Sequence, residues 1–232
     1  MLNQNSGPRI CDLIWGTIDP YIAAMHRTAA RSTSELARPR GRPREFDMDE
    51  ALDRAIRVFR EQGYNATSVG DLIDAMGLAS GSIYKAFRDK RAVFLAALDR
   101  YMSWRNEQMA AVVQTSNPAR ERLRDVLAFF VESSKGIEGR RGCMVVGSAV
   151  ELSIADREVA ARVGAALAKN EALLADLIRE GQADGSIPAG IDPEQTARIL
   201  VCLTQGLRVV GKSGRAPQDT AAAVDIAMKL LQ

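Results

Sequence analysis

From about residue 47 to the end, apolar residues recur three and four apart, the spacing of a helix face. Ala51, Leu52, Ala55, Ile56, Val58 and Phe59 predict a first helix over 47–62, with Asp47 as N-cap and Gly63 as its stop. Val69, Leu72, Ile73 and Met76 predict a second, opened by the S-x-x-D capping box of Ser68 and Asp71 and ended at Gly77. Leu78 is apolar inside the turn and plugs the angle between neighbouring helices. A third, short helix follows over 80–87, with Ile83 and Phe87 facing inward. Phe94, Ala97, Leu98 and Tyr101 then mark a long helix that starts near Asp89 or Lys90 and runs past Trp104 toward Val113. Beyond Ser116-Asn117-Pro118 come a helix carrying Leu123, Val126, Leu127, Phe130 and Val131, a glycine-rich surface loop over 136–142, and a short buried helix over 143–152. Residues 156–184 predict a long amphipathic helix that ends at Gly185. Asp192-Pro193 opens another, apolar all round at 199–203, and a last helix spans 217–231. The pattern is that of an all-α protein.

The outward face of the third helix carries Ser80, Gly81, Ser82, Tyr84 and Lys85, preceded by Ala79. Small residues allow close approach, hydroxyls reach phosphates or base edges, and a lysine supplies charge. A helix lying in the major groove of DNA needs that combination. The plain alternative is a helical hairpin with a solvated polar face.

Residues 1–38 show no sustained periodicity and are expected to be a disordered extension, with Met25 a possible alternative start and a short helix conceivable within 18–32. Pro39-Arg40-Gly41-Arg42-Pro43-Arg44 follows, a basic arm over 39–46. Its prolines enforce an extended backbone, so Arg40, Arg42 and Arg44 project from a narrow strip able to enter an A·T-rich minor groove. It looks like the P-R-G-R-P core of an AT-hook; the alternative is a basic linker.

The formal net charge of +2 argues neither for nor against nucleic acid, but its distribution matters. Lys85, Arg88, Lys90 and Arg91 cluster at the end of the third helix, where they would neutralise phosphates. Cys11, Cys143 and Cys202 are odd in number and far apart, which disfavours a disulfide framework or a zinc site and fits a reducing cytoplasm. No apolar run is long enough to span a membrane, and no signal peptide is expected.

The run A…F-x-x-x-G-Y-x-A-T-S…G-L-A-x-G-S-I-Y-x-x-F-x-x-K, from Ala51 through Phe59, Gly63-Tyr64 and Ala66-Thr67-Ser68 to Lys90, resembles the N-terminal domain of TetR-family bacterial transcriptional regulators. Two family preferences are altered: Ala79 stands where serine is common and Ala86 where histidine is frequent. The resemblance implies a homeodomain-like helix-turn-helix domain over 47–92 and a helical ligand-binding and dimerisation domain over 93–232. Double-stranded operator DNA, a second copy joined through helices in 192–231, and an unidentified small-molecule effector are the implied partners. Thr67, Ser68, Tyr84 and Lys90 are assigned to phosphates, and Ser80, Ser82 and Lys85 to base edges. Trp104, Phe130, Cys143, Met144 and Leu174 are candidates to line the effector cavity, although ordinary core packing explains Trp104, Phe130, Met144 and Leu174 too. Cys143 is an inert buried thiol or, beside Arg140 and Arg141, a sensor of oxidants or electrophiles.

An enzyme is the competing class, with a helical scaffold a third. His26 is the only histidine, and no nucleophile elbow, paired metal ligands or nucleotide loop is visible, so neither catalysis nor a metal or cofactor is expected. Scattered carboxylates leave room for acid–base chemistry alone.

If the arm reads the minor groove, Arg42→Ala should weaken DNA binding at every salt concentration and reduce the slope of log K against log salt by about one. A fluorescence-anisotropy titration at several salt concentrations checks it, and an unchanged slope contradicts it.

Overall fold

In the computed structural model the residues described are 47–232. They form α1 (Met48–Gln62), α2 (Val69–Met76), α3 (Ser80–Ala86), α4 (Lys90–Val113), α5 (Ala119–Glu132), α6 (Gly136–Arg141), α7 (Met144–Glu151), α8 (Arg157–Ala183), α9 (Pro193–Lys212), α10 (Thr220–Ala227) and a 3₁₀ turn, Met228–Leu231. There is no strand among the described residues. The expected extension and arm, with Arg40, Arg42 and Arg44, lie outside them.

Local chemistry sets most of the helix ends. The Asp47 carboxylate accepts the Asp49 and Glu50 amides at the start of α1. Ser68 and Asp71 close a reciprocal capping box on α2. Gly77 ends α2 at φ 67°, and the Leu78 amide reaches back to the Ile73 carbonyl, the bond pattern of a Schellman stop. Asp89, Asp156, Asp192 and Asp219 cap α4, α8, α9 and α10 in the same way.

One hydrophobic core runs from α1–α3 through α4 into the remainder of the molecule. Leu52, Phe59, Leu72 and Ile83 are buried against Val93, Phe94, Leu98 and Tyr101 of α4, and the cluster continues to Met144 of α7 and Val159 of α8. Each such side chain, fully buried, contributes about 1.5–3 kcal/mol. Phe94 takes the edges of two rings, Phe59 at 5.0 Å and Tyr64 at 4.9 Å, joining α1 and its following turn to α4. Beyond this cluster α8 packs along α9 and α5, and α10 closes on α5.

Residues 136–142, expected to be a surface loop, are instead mostly helical as α6 and in part buried. Gly139 sits so close to Ser134 that a Cβ would lie 1.9 Å from its carbonyl oxygen. The segment is held by α1: the Arg60 guanidinium donates to the Gly142 and Glu138 carbonyls and pairs with the Glu138 carboxylate at 2.9 Å. Arg141 adds a pair with Glu61 at 3.1 Å. The other predicted segments are helical within a few residues of their expected ends, except that α10 is short and gives way to the 3₁₀ turn.

A second set of polar ties crosses from α1–α4 to α7 and α8. The Glu151 carboxylate accepts the Tyr64 and Asn65 amides at 3.0 and 3.1 Å. Gly63 makes that approach possible, since a Cβ there would lie 2.2 Å from a Glu151 carboxylate oxygen and its φ of 85° also favours glycine. Arg91 at the start of α4 grips the Asp156 carboxylate with two bonds, of 2.6 and 3.0 Å, and reaches Glu158 at 2.7 Å. The Arg91 bonds and the helix amides hold the Asp156 carboxyl down at about 2.

Because that carboxyl titrates lower when folded than when unfolded, its contribution to stability is complete above the unfolded pKa of about 4 and is lost as the pH falls toward 2. Asp156→Asn keeps a capping side chain but loses the ion pair. Urea unfolding should therefore show the variant less stable than the parent at pH 7, with the gap closing between about pH 4 and pH 2. A gap that does not change with pH contradicts the assignment.

Candidate nucleic-acid interface

Helices α2 and α3 meet through Gly77-Leu78-Ala79, and Ile83, 3% exposed, anchors α3 to the core. With that side chain inward, Gly81, Tyr84, Lys85 and Ala86 face solvent on α3, and Ala79 is exposed at its start. Tyr84 is 56% exposed although aromatic. No atom lies within 4 Å of a Cβ built at Gly81, so the fold itself does not require glycine there. Ser80 and Ser82 belong to the same seven-residue helix.

Two residues assigned to phosphates from sequence turn inward. Thr67 is 1% exposed, and its hydroxyl donates to the Gly63 carbonyl at 2.6 Å. The Lys90 ammonium donates to the Tyr64 and Thr67 carbonyls at 3.0 and 2.9 Å and lies 4.2 Å from the Tyr64 ring centre. Both therefore stabilise the α1–α2 turn, satisfying carbonyls that α1 and α2 leave open. Ser68 is exposed, but its hydroxyl is engaged in the capping box with Asp71. The Ser68 amide, and after it the Ser68 hydroxyl, hold the Asp71 carboxyl below its ordinary value.

The basic cluster expected after α3 is likewise divided. Lys85 and Arg88 are exposed, with Arg88 paired to its neighbour Asp89 at 3.1 Å. Lys90 and Arg91 are spent on the protein itself. The reason is tertiary: α4 begins at Lys90, and its first turn faces the acidic start of α8.

A cleft of about 50 Å³ lies in the C-terminal half, and Phe130 and Cys143 from the expected set line it. Trp104 and Met144 belong instead to the core shared with α1–α3, and Leu174 is 1% exposed on α8, away from the lining. Cys143 is half-buried and forms part of the cleft wall. Among the lining residues that sequence reading missed are Tyr101, Arg105 and Arg208. A signal for them existed: Tyr101 and Arg105 are four apart on one helix, and Arg208 is a lone charge in a long apolar stretch of α9.

Among the described residues no group of acidic, histidine and cysteine side chains could hold a metal ion. No described helix is long and apolar enough to cross a membrane.

Comparison with known proteins gives this geometry a context. Residues 51–97 match the family profile described as "Bacterial regulatory proteins, tetR family", and residues 119–226 match "Tetracyclin repressor-like, C-terminal domain". The HTH-type transcriptional repressor ComR of Escherichia coli (strain K12) is 30% identical over 187 residues, covering 80% of this chain and 89% of ComR. A cysteine-substituted TetR-family regulator, CifR, solved in complex with 26-base-pair operator DNA, is 32% identical with a TM-score of 0.73. That match covers 83% of this chain and all of CifR (100%). Reduced NemR of Escherichia coli shares the fold, with a TM-score of 0.69 at 19% identity over 79% of this chain and 97% of NemR. With both halves matched by the family's own profiles and relatives that are repressors, the chain is a member of the TetR family of transcriptional regulators and not an enzyme.

Proposed function

We propose that the protein is a ligand-responsive repressor that binds a palindromic operator as a homodimer, with α3 as its reading element. The observation that carries this is the face of α3: Tyr84 exposed without packing, Lys85 beside it, and Gly81 where the fold itself has no use for a glycine. A bare helix surface of this kind suits close contact with a duplex. Ala79, Ser80, Gly81, Ser82, Tyr84 and Lys85 form the reading surface, Ser68 lies at its edge, and Arg40, Arg42 and Arg44 track the minor groove. CifR, solved bound to its operator, offers an analogy for the mode of docking. Work on an operator places the protein with the DNA, in the cytoplasm.

The second copy is supported by the surface of α9 and α10. Ile199, Leu203, Val209 and Val210 of α9 are between 40% and 55% exposed, and Ile226 of α10 is 66% exposed. Cys202 and Gly206 fall on the same side of α9 by their spacing. A continuous apolar stripe of this length is seldom left to water. Pairing it with its own copy about a two-fold axis buries it as a four-helix interface and presents two reading heads to one duplex.

Tyr84→Ala should leave the fold intact, because the ring is exposed, and weaken operator binding by about 5- to 150-fold, the loss expected for 1–3 kcal/mol of contact. Wild-type affinity in a gel shift on DNA selected from a random pool contradicts the docking. Leu203→Glu combined with Ile226→Glu should shift the protein from dimer to monomer in sedimentation velocity and abolish tight binding to the palindrome. A dimer that survives both changes excludes this interface.

A further inference from the structure

Two arginines beside the same cleft, Arg208 buried and Arg105 half-buried, have only neutral hydrogen-bond partners. Arg208 of α9 is 4% exposed and donates to the Ser133 carbonyl and, at 3.5 Å, to the Gly142 carbonyl. Arg105 of α4 reaches the Gln108 side chain at 3.2 Å and the Ser133 hydroxyl at 3.3 Å, and stacks 4.3 Å from the Phe129 ring centre. Neither pairs with a carboxylate among the described residues. Removing a guanidinium from water without an anion is costly, so a stable arrangement of this kind asks for a counter-charge. Burial and the neighbouring charges of Arg208 and Arg60 hold Arg105 down at about 10, still cationic at neutral pH.

Both side chains line the same cleft as Tyr101 and Cys143, whose proximity favours the charged form of Arg208. The Arg208 Nε and the Tyr101 hydroxyl are buried without a hydrogen-bond partner of good geometry, and Tyr101 is 1% exposed. Met102, Met109, Phe130 and Val145 supply apolar surface to the same lining. Burial pushes the Cys143 thiol up, but Arg208, the Val146 amide, Tyr101 and Arg105 more than offset it, a further sign that the cleft favours negative charge.

We propose that this cleft is a site for a small monocarboxylate, its carboxylate seated between Arg105, Arg208 and the Tyr101 hydroxyl and its short tail against the methionines and Phe130. Planar guanidinium groups match the two oxygens of a carboxylate, and the Arg208 Nε and Tyr101 hydroxyl supply the remaining donors. A volume of about 50 Å³ admits only a few heavy atoms. The half-apolar lining selects an acid with a short hydrocarbon tail over an inorganic anion.

The site also has a physical path to the reading head. The Gly142 carbonyl that accepts Arg208 at 3.5 Å accepts Arg60 of α1 at 2.8 Å. An anion that draws Arg208 toward the cleft removes one of the two donors on that carbonyl and changes the hold on α1. This regulatory step rests on the reading of the protein as a ligand-responsive repressor; binding of the acid does not.

The test is calorimetric titration of the full-length protein with sodium acetate, propionate and butyrate. Propionamide serves as neutral isostere, and sodium chloride and phosphate serve as anion controls at matched ionic strength. At least one carboxylate should bind while propionamide, chloride and phosphate do not. Arg208→Gln removes an anchor of the fold, so Tyr101→Phe, which deletes one oxygen, carries the comparison and should weaken binding about tenfold. Arg105→Met should weaken it further while melting near the parent temperature. Equal binding of propionamide or chloride, or parental affinity in Tyr101→Phe, overturns the assignment. Operator binding with and without the bound acid is then read by anisotropy. Release of DNA supports the path through Gly142, and binding of the acid without release overturns that path alone. A protein that binds the acid and no DNA overturns the repressor reading while leaving the site standing.

Discussion

A buried guanidinium is costly unless its donors are met, and the donors of Arg60 of α1 are met by residues outside the helix-turn-helix. Arg60 is 7% exposed, and its donors go to the Gly142 and Glu138 carbonyls and to the Glu138 carboxylate. Burial alone would raise the Glu138 carboxyl, but Arg60 and Arg141 more than offset it and keep it below its ordinary value. Breaking such a pair strands a charge at a cost of about 3–5 kcal/mol, so α1 and α6 move together or not at all. Lys212 of α9 strengthens the joint, donating to the Arg60 carbonyl at 2.6 Å.

This joint explains how the polar surface of the head is apportioned. Residues near α1, the following turn and the start of α4 are committed to holding the head in place: Arg60, Thr67, Lys90 and Arg91 all bond inward. On α3, Ile83 is the buried anchor, while Gly81, Tyr84, Lys85 and Ala86 are exposed. A short helix fixed by one side chain and the turn before it leaves the rest of its surface free for contact with another molecule. Its orientation is then inherited from the rigid elements behind it rather than from its own seven residues.

Where structure is set by neighbours in the chain, the sequence was a sufficient guide. The Asp47 cap, the Ser68–Asp71 box and the left-handed Gly77 are local devices, and each is legible from residue type and spacing. Ile83 could be assigned inward for the same reason. Lys90 and Arg91 were misjudged because a cation near a reading helix looks available until its partners arrive from elsewhere in the chain. Asp156 lies 65 residues beyond Arg91. Residues 136–142 looked like a loop because glycines weaken helix propensity; the close packing of Gly139 on Ser134 and the grip of Arg60 outweigh it. The cleft arginines were hidden for a related reason, since a buried charge cannot be told from a solvated one by its letter alone.

One further consequence follows from the length of α4. Its 24 residues, at 1.5 Å each, make a rod about 36 Å long whose first turns are cemented into the head and whose later turns flank the cleft. A lever of that reach amplifies small angles: tilting it by about 5° about its far end sweeps the near end through about 3 Å, close to the 3.4 Å rise of one base pair. The same tilt moves Tyr101 by only about 1.6 Å and Arg105 by about 1 Å, so a displacement at the cleft reaches the head enlarged about two- to three-fold.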